Sequence, residues 1–111
     1  MLPASARLRK SSEISETMRF GKKFTSHLVV LHVRTQPNTH VRVAFSVGKS
    51  VGNSVVRHQT TRRLRHIMIN ELPKFQAGTD VVVRALPKAG SATYADLLEN
   101  VDYAVNKAVA V

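Results

Sequence analysis

The chain has 111 residues, enough for one domain with a modest core. It is 43% apolar and only 5% aromatic, and it has no cysteine, which excludes a disulfide framework, a thiolate metal site and a cysteine nucleophile. A net charge of +10 points to a polyanionic partner, and no apolar run reaches the length of a membrane span.

Residues 1–11 begin "MLPASARLRK", which lacks the apolar stretch of a secretory signal. They predict a flexible basic arm, and the chain reads as cytoplasmic. "SSEISETMRF" predicts a short helix. Ser11 or Ser12 can cap it, Glu13 suits its N-terminal end, Ile14 and Met18 share a face, and Gly21 ends it.

"FTSHLVVLHVR", residues 24–34, is β-branched and apolar and predicts a strand. Pro37 and Asn38 supply a turn. "VRVAFSV", residues 41–47, alternates: Val41, Val43, Phe45 and Val47 on one face, Arg42, Ala44 and Ser46 on the other. Two strands joined by so short a link predict an antiparallel hairpin.

The basic helix follows. Gly52 permits a sharp exit from the strand and Asn53 is a good N-cap. Val56, Thr60, Leu64, Ile67 and Met68 recur on one side; His58, Thr61, Arg62 and Arg65 fall on the other. The helix should run to about Glu71, ahead of Pro73. "TDVVVRALP", residues 79–87, is apolar enough for a central strand. After a "KAGSA" loop comes a second amphipathic helix, with Leu97, Leu98, Val101, Val105 and Ala108 inward and Asp96, Glu99, Asp102 and Lys107 outward.

These elements give a single α+β domain over residues 1–111, in the order α-β-β-α-β-α, with a small mixed sheet and room for a further short strand. The strands flanking the basic helix can pair in parallel through it, and such a crossover is by default right-handed.

Charge is distributed unevenly. No acidic residue stands between Glu16 and Glu71, whereas Arg19, Lys22, Lys23, Arg34, Arg42, Lys49, Arg57, Arg62, Arg63 and Arg65 all do. A basic field spread over folded segments predicts a broad nucleic-acid surface. Gly48-Lys49-Ser50 looks like the end of a phosphate loop, but that motif needs another glycine five residues earlier, where Val43 stands. No carboxylate lies inside the arginine cluster, and the histidines form no metal-ligand pattern, so neither a catalytic residue nor a metal ligand is assigned. Strand histidines such as His27 and His32 read as structural. His58 reads as a phosphate or base contact. Arginines at helical spacing offer a line of two-point phosphate contacts, to which Lys49, Asn53 and the helix N-terminus add donors. A general RNA-binding or ribosomal protein would satisfy this pattern too.

"KSVGNSVVRHQTTRRLRHIM" resembles the signature of the bacterial ribonuclease P protein component, Lys-x-Val-Gly-Asn-Ala-Val-x-Arg-Asn-Arg followed by Lys-Arg-x-x-Arg. Lys49, Gly52, Asn53, Arg57, Arg62, Arg63 and Arg65 match it. The flanking "ARLRKSSEISETMRFGKKF", "HLVVLHV", "VRVAFSVGK" and "VVVRALPKA…YADL" extend the resemblance over almost the whole chain. The resemblance implies a protein subunit that binds the catalytic RNA of ribonuclease P and the 5′ leader of precursor tRNA. In such an enzyme the RNA carries out cleavage with Mg²⁺, and the protein itself binds no cofactor, small molecule or membrane. It further implies a left-handed βαβ crossover. The basic helix, with Lys49, Asn53, Arg57, His58, Arg62, Arg63 and Arg65, would face RNA. A cleft marked by Ile14, Met18, Phe24 and Ser46 would take the leader. The sequence departs from the pattern at His58 and Gln59 in place of Asn and Arg, at Thr61 in place of Lys, at Ser50 where a second Lys is common, and at Ile14 and Met18 where Phe is common.

Overall fold

A computed structural model describes residues 2–110. Helix α1 spans Ser11–Phe20, α2 Ser54–Glu71 and α3 Tyr94–Val109. The strands are β1 Lys22–Thr25, β2 Val29–Thr35, β3 Arg42–Ser46 and β4 Thr79–Ala85, with 3₁₀ turns at Ala4–Ala6, Leu72–Lys74 and Pro87–Ser91.

The sheet order is β1-β2-β4-β3. β4 is central, as its composition requires: Val81, Val82 and Val83 are all fully buried, covered on both faces. It pairs with β3 in parallel across the α2 crossover and with β2 antiparallel. The expected hairpin between residues 24–34 and 41–47 is therefore not formed, because β4 inserts between its two arms. The link from β2 to β3 must span two strand spacings, roughly 10 Å, too wide for a tight turn. Gly78, entering β4, fills the gap: Gln36 N–H donates to the Gly78 carbonyl at 2.6 Å, and Gly78 N–H donates to the His40 carbonyl at 3.0 Å.

A hairpin does exist one step earlier. Residues 24–34 are not one strand: Ser26 breaks them, its N–H reaching the Val29 carbonyl at 2.9 Å, and β1 folds back on β2 with Phe24 opposite Leu31.

One face of the sheet carries the main core. Val29, Leu31, Val43, Val81 and Val83 pack with Leu64, Ile67 and Met68 of α2 and Leu97, Val101, Ala104 and Val105 of α3. Leu98, expected inside, is 42% exposed, because it lies at the edge of the Leu97-Val101-Ala104-Val105 stripe rather than on its centre line. On the other face α1 sets Ile14 and Met18 against Leu8, Ala44 and Val82.

α1 starts one residue earlier than a Ser11 cap would place it. Lys10 is the N-cap, with no side-chain capping bond. The segment before it, expected as a flexible arm, lies along the open edge of β3. Leu2, Ala6 and Leu8 are buried, and Leu8 N–H donates to the Val43 carbonyl at 3.0 Å. These apolar side chains, interleaved with the arginines, bury enough surface to hold the segment down.

Candidate nucleic-acid interface

Two glycines set the start of α2. A Cβ on Gly52, whose φ is 157°, would stand 2.8 Å from the Val56 side chain. One on Gly90 would collide with the Val51 carbonyl. With the chain turned there, the Asn53 side chain accepts from Val56 N–H at 3.0 Å and caps the helix. The N-terminus of α2 is thus exposed beside Lys49, its positive dipole end turned to solvent.

Thr60, Leu64, Ile67, Met68 and Glu71 form the buried stripe of α2. At 100° per residue His58 and Arg62 point directly away from it, with Arg65 beside them. All three are exposed, and no hydrogen bond or ion pair occupies their polar groups among the described residues. Arg57 sits lower on the flank, half-buried, and its Nε–H is buried without an acceptor among the described residues. Arg63 faces the other flank, where Nη1 donates to the Ala92 carbonyl at 3.1 Å and ties α2 to the approach of α3. Five of the seven expected contact residues, Lys49, Asn53, His58, Arg62 and Arg65, are therefore exposed, and Arg57 and Arg63 are half-buried on the flanks.

Several other cations are committed internally. Arg42 makes a two-point contact with Asp80, at 2.9 and 2.8 Å, and reaches Glu13 at 3.1 Å. Those hydrogen bonds, Asp80's first, raise the guanidinium's affinity for its proton further. Arg34 pairs with Glu16 at 3.1 Å, and Lys74 joins Glu71 and Asp102 at 3.1 and 2.8 Å. Glu71 is buried between α2 and α3, and this desolvation holds its carboxyl above the ordinary range. Asp102, bonded first to Lys74, is held below that range.

Beside α2 lies a cleft of about 410 Å³ between the N-terminal segment, α1 and β3. Arg9, Thr61 and Arg65 rim it, and Leu8, Ile14 and Ala44 are among its apolar lining. The sheet face on which α1 packs carries Ala44, Val82, His32 and Lys23 in one cross-strand row, and Ser46, Arg84 and Val30 in the next. Of the expected leader-cleft residues, Ile14, Met18 and Ser46 share this face. Phe24 does not. It pairs with Leu31 and packs into the core on the opposite face.

Arg9 at the cleft rim, and His32 and Arg84 on the sheet face under α1, stand outside the set that the sequence marked. His32 is 2% exposed and accepts from Arg84 Nε–H at 3.3 Å, and its own Nδ1 has no partner among the described residues. Burial foremost, then the charges of Arg84 and Lys23, pushes its pKa down. Period-two counting from Ala44 places Ser46 on this sheet face, but it cannot add β4, whose insertion between β2 and β3 is not a local feature.

Among the described residues no group of His, Asp or Glu side chains could hold a metal ion, and no helix is long and apolar enough to cross a membrane.

Comparison with known proteins gives the family. The family model described as Ribonuclease P matches residues 2–109. The ribonuclease P protein component of Beutenbergia cavernae is 44% identical over 92% of this chain and 87% of its own length. That of Streptomyces bikiniensis is 39% identical over 96% and 94%. Among solved structures, the Staphylococcus aureus RNase P protein superimposes with a TM-score of 0.85 at 21% identity, covering 93% of this chain and 94% of that one. The Thermotoga maritima RNase P protein gives 0.80 at 19% identity, covering 91% and 96%. The chain therefore belongs to the ribonuclease P protein family, and its role is that of a protein subunit of ribonuclease P.

Proposed function

We propose that the exposed ridge of α2 docks on the catalytic RNA of ribonuclease P, and that the cleft between the N-terminal segment, α1 and β3, rimmed by Arg9, Thr61 and Arg65, receives the single-stranded 5′ leader of precursor tRNA. The RNA makes the cut. This chain neutralises phosphate and holds the leader. One observation carries the reading: Arg34, Arg42 and Arg63 are spent on internal contacts, whereas Lys49, His58, Arg62 and Arg65 are left free on one surface with the α2 N-terminus. Fixed, unneutralised guanidiniums in a row suit a phosphate backbone.

The leader face has a different character. Its lining combines apolar Leu8, Ile14 and Ala44 with the cations Arg9 and Arg65, as a surface for unpaired nucleotides does. Ile14 and Met18 stand where an aromatic would stack, so the base contact there is one of apolar packing. The described residues offer no carboxylate set for the Mg²⁺ ions of phosphodiester cleavage, which in this reading are held by RNA. The reaction belongs to the cytoplasm, where precursor tRNA is processed.

Affinity purification of the tagged chain from its host tests the reading. One abundant, structured RNA that itself cleaves precursor tRNA at high Mg²⁺ is the expected companion. Ribosomal RNA in its place would make this chain a ribosomal or general RNA-binding protein.

A further inference from the structure

Helix α1 ends on an aromatic that its packing does not use. Its inward residues are Ile14, Thr17 and Met18, and Phe20 is 63% exposed. Two guanidinium groups flank the ring, Arg19 Cζ at 5.2 Å and Arg34 Cζ at 5.7 Å from its centroid. Glu16 holds Arg34 in that position at 3.1 Å. The ring walls a cavity of about 290 Å³ whose apolar side is Phe24, Val33 and Ala108, with Lys22 and Arg34 at its rim. This place is at the end of the sheet where β1 begins and β2 finishes, opposite the end at which β3 leads toward α2.

An exposed ring set among fixed cations matches a planar base attached to a charged phosphate. The ring supplies a stacking face, and Arg19 and Lys22 supply the counter-charge. Glu16, the acid of this neighbourhood, is already paired with Arg34, so the cavity rim carries a surplus of positive charge.

We propose that Phe20 is a stacking platform for one unpaired nucleobase of RNA, with Arg19 and Lys22 taking the adjoining phosphates. The proposal rests on the reading of this chain as an RNA-binding subunit. It adds a contact remote from the α2 ridge.

The chain has no tryptophan, so Phe20→Trp installs a single fluorescent reporter at the platform. The variant is titrated first with the catalytic RNA and then, in complex, with precursor tRNA. Stacking quenches the emission. Quenching in the first step assigns the base to the catalytic RNA, and quenching in the second assigns it to the precursor. Inorganic polyphosphate, which has the charge and no bases, is expected to leave the emission unchanged. Equal quenching by polyphosphate, or bound RNA without quenching, overturns the proposal. Phe20→Leu keeps an apolar side chain and loses the π face. It is expected to weaken binding of a short single-stranded oligoribonucleotide about fivefold, with melting temperature unchanged, and unaltered affinity would contradict the platform. Failure of the unaltered protein to bind either RNA would remove the RNA-subunit reading and this proposal with it.

Discussion

Arg62 and Arg42 carry the same charge and do opposite work. Arg42 is locked between Asp80 and Glu13, whereas Arg62 projects from α2 into solvent. Arg62→Ala should therefore weaken RNA binding across sequences and lower the salt slope by about one, with melting temperature unchanged. An unchanged slope would take Arg62 off the phosphate surface. The altered motif positions make a complementary case. Gln59 is exposed, while Thr61 is half-buried at the cleft with Arg9 and Arg65, its hydroxyl donating to the Arg57 carbonyl at 2.9 Å. Gln59→Arg with Thr61→Lys should tighten RNA binding and steepen its salt dependence, measured as dissociation constants at several salt concentrations. His32 gives a pH signature. Its lowered pKa means that the folded state prefers the neutral ring. Its stabilising contribution is thus present above the ordinary histidine pKa, about 6.5, and is lost as pH falls toward the folded value. Melting temperature should drop from about pH 7 to pH 5, and His32→Gln should flatten that drop. An undiminished drop would shift the effect to other groups. The sequence showed which residues were cationic but not which were free, because the partners of Arg34, Arg42 and Arg63 lie 18 to 38 residues away along the chain.

At the scale of elements, α2 was the most legible. Its cap, its buried stripe and its end before Pro73 are local features, and they stand as the spacing predicts. Gly52→Val tests the turn before it. The added Cβ would crowd Val56, so a loss of about 1–3 kcal/mol of stability is expected, read by denaturant unfolding. Wild-type stability would show that the turn makes no such demand. The Arg42-Asp80-Glu13 contact is the matching device for α1, joining its first turn to the sheet. Asp80, 1% exposed, makes Asp80→Ala destabilising by about 2–4 kcal/mol, and an unchanged midpoint would deny the tie any structural weight. Strand order was less legible than strand existence. Nothing local announces that β4 inserts between β2 and β3, and the run through Ser26 hid a hairpin whose turn is only a few residues long. The same gap misplaced Phe24: its face is fixed by its pairing with Leu31, not by its distance from Ile14.

Over the whole molecule, the net charge of +10 is resolved into parts with different purposes. Internal pairs hold α1 to the sheet and α2 to α3. Of the cations left over, Lys49, His58, Arg62 and Arg65 stand on the α2 ridge and Arg9 at the cleft beside it. A protein so built lends charge and shape to an RNA that does the chemistry, and its benefit should be greatest when Mg²⁺ is scarce, since both screen the same phosphates. Cleavage of precursor tRNA by the cognate catalytic RNA at low Mg²⁺, with and without this chain, measures that claim directly. Correct 5′ cleavage that depends on the added protein and is reduced by Arg62→Ala is the predicted result. An RNA that cleaves equally well alone, or a rate that is indifferent to the protein at every Mg²⁺ concentration, would contradict it.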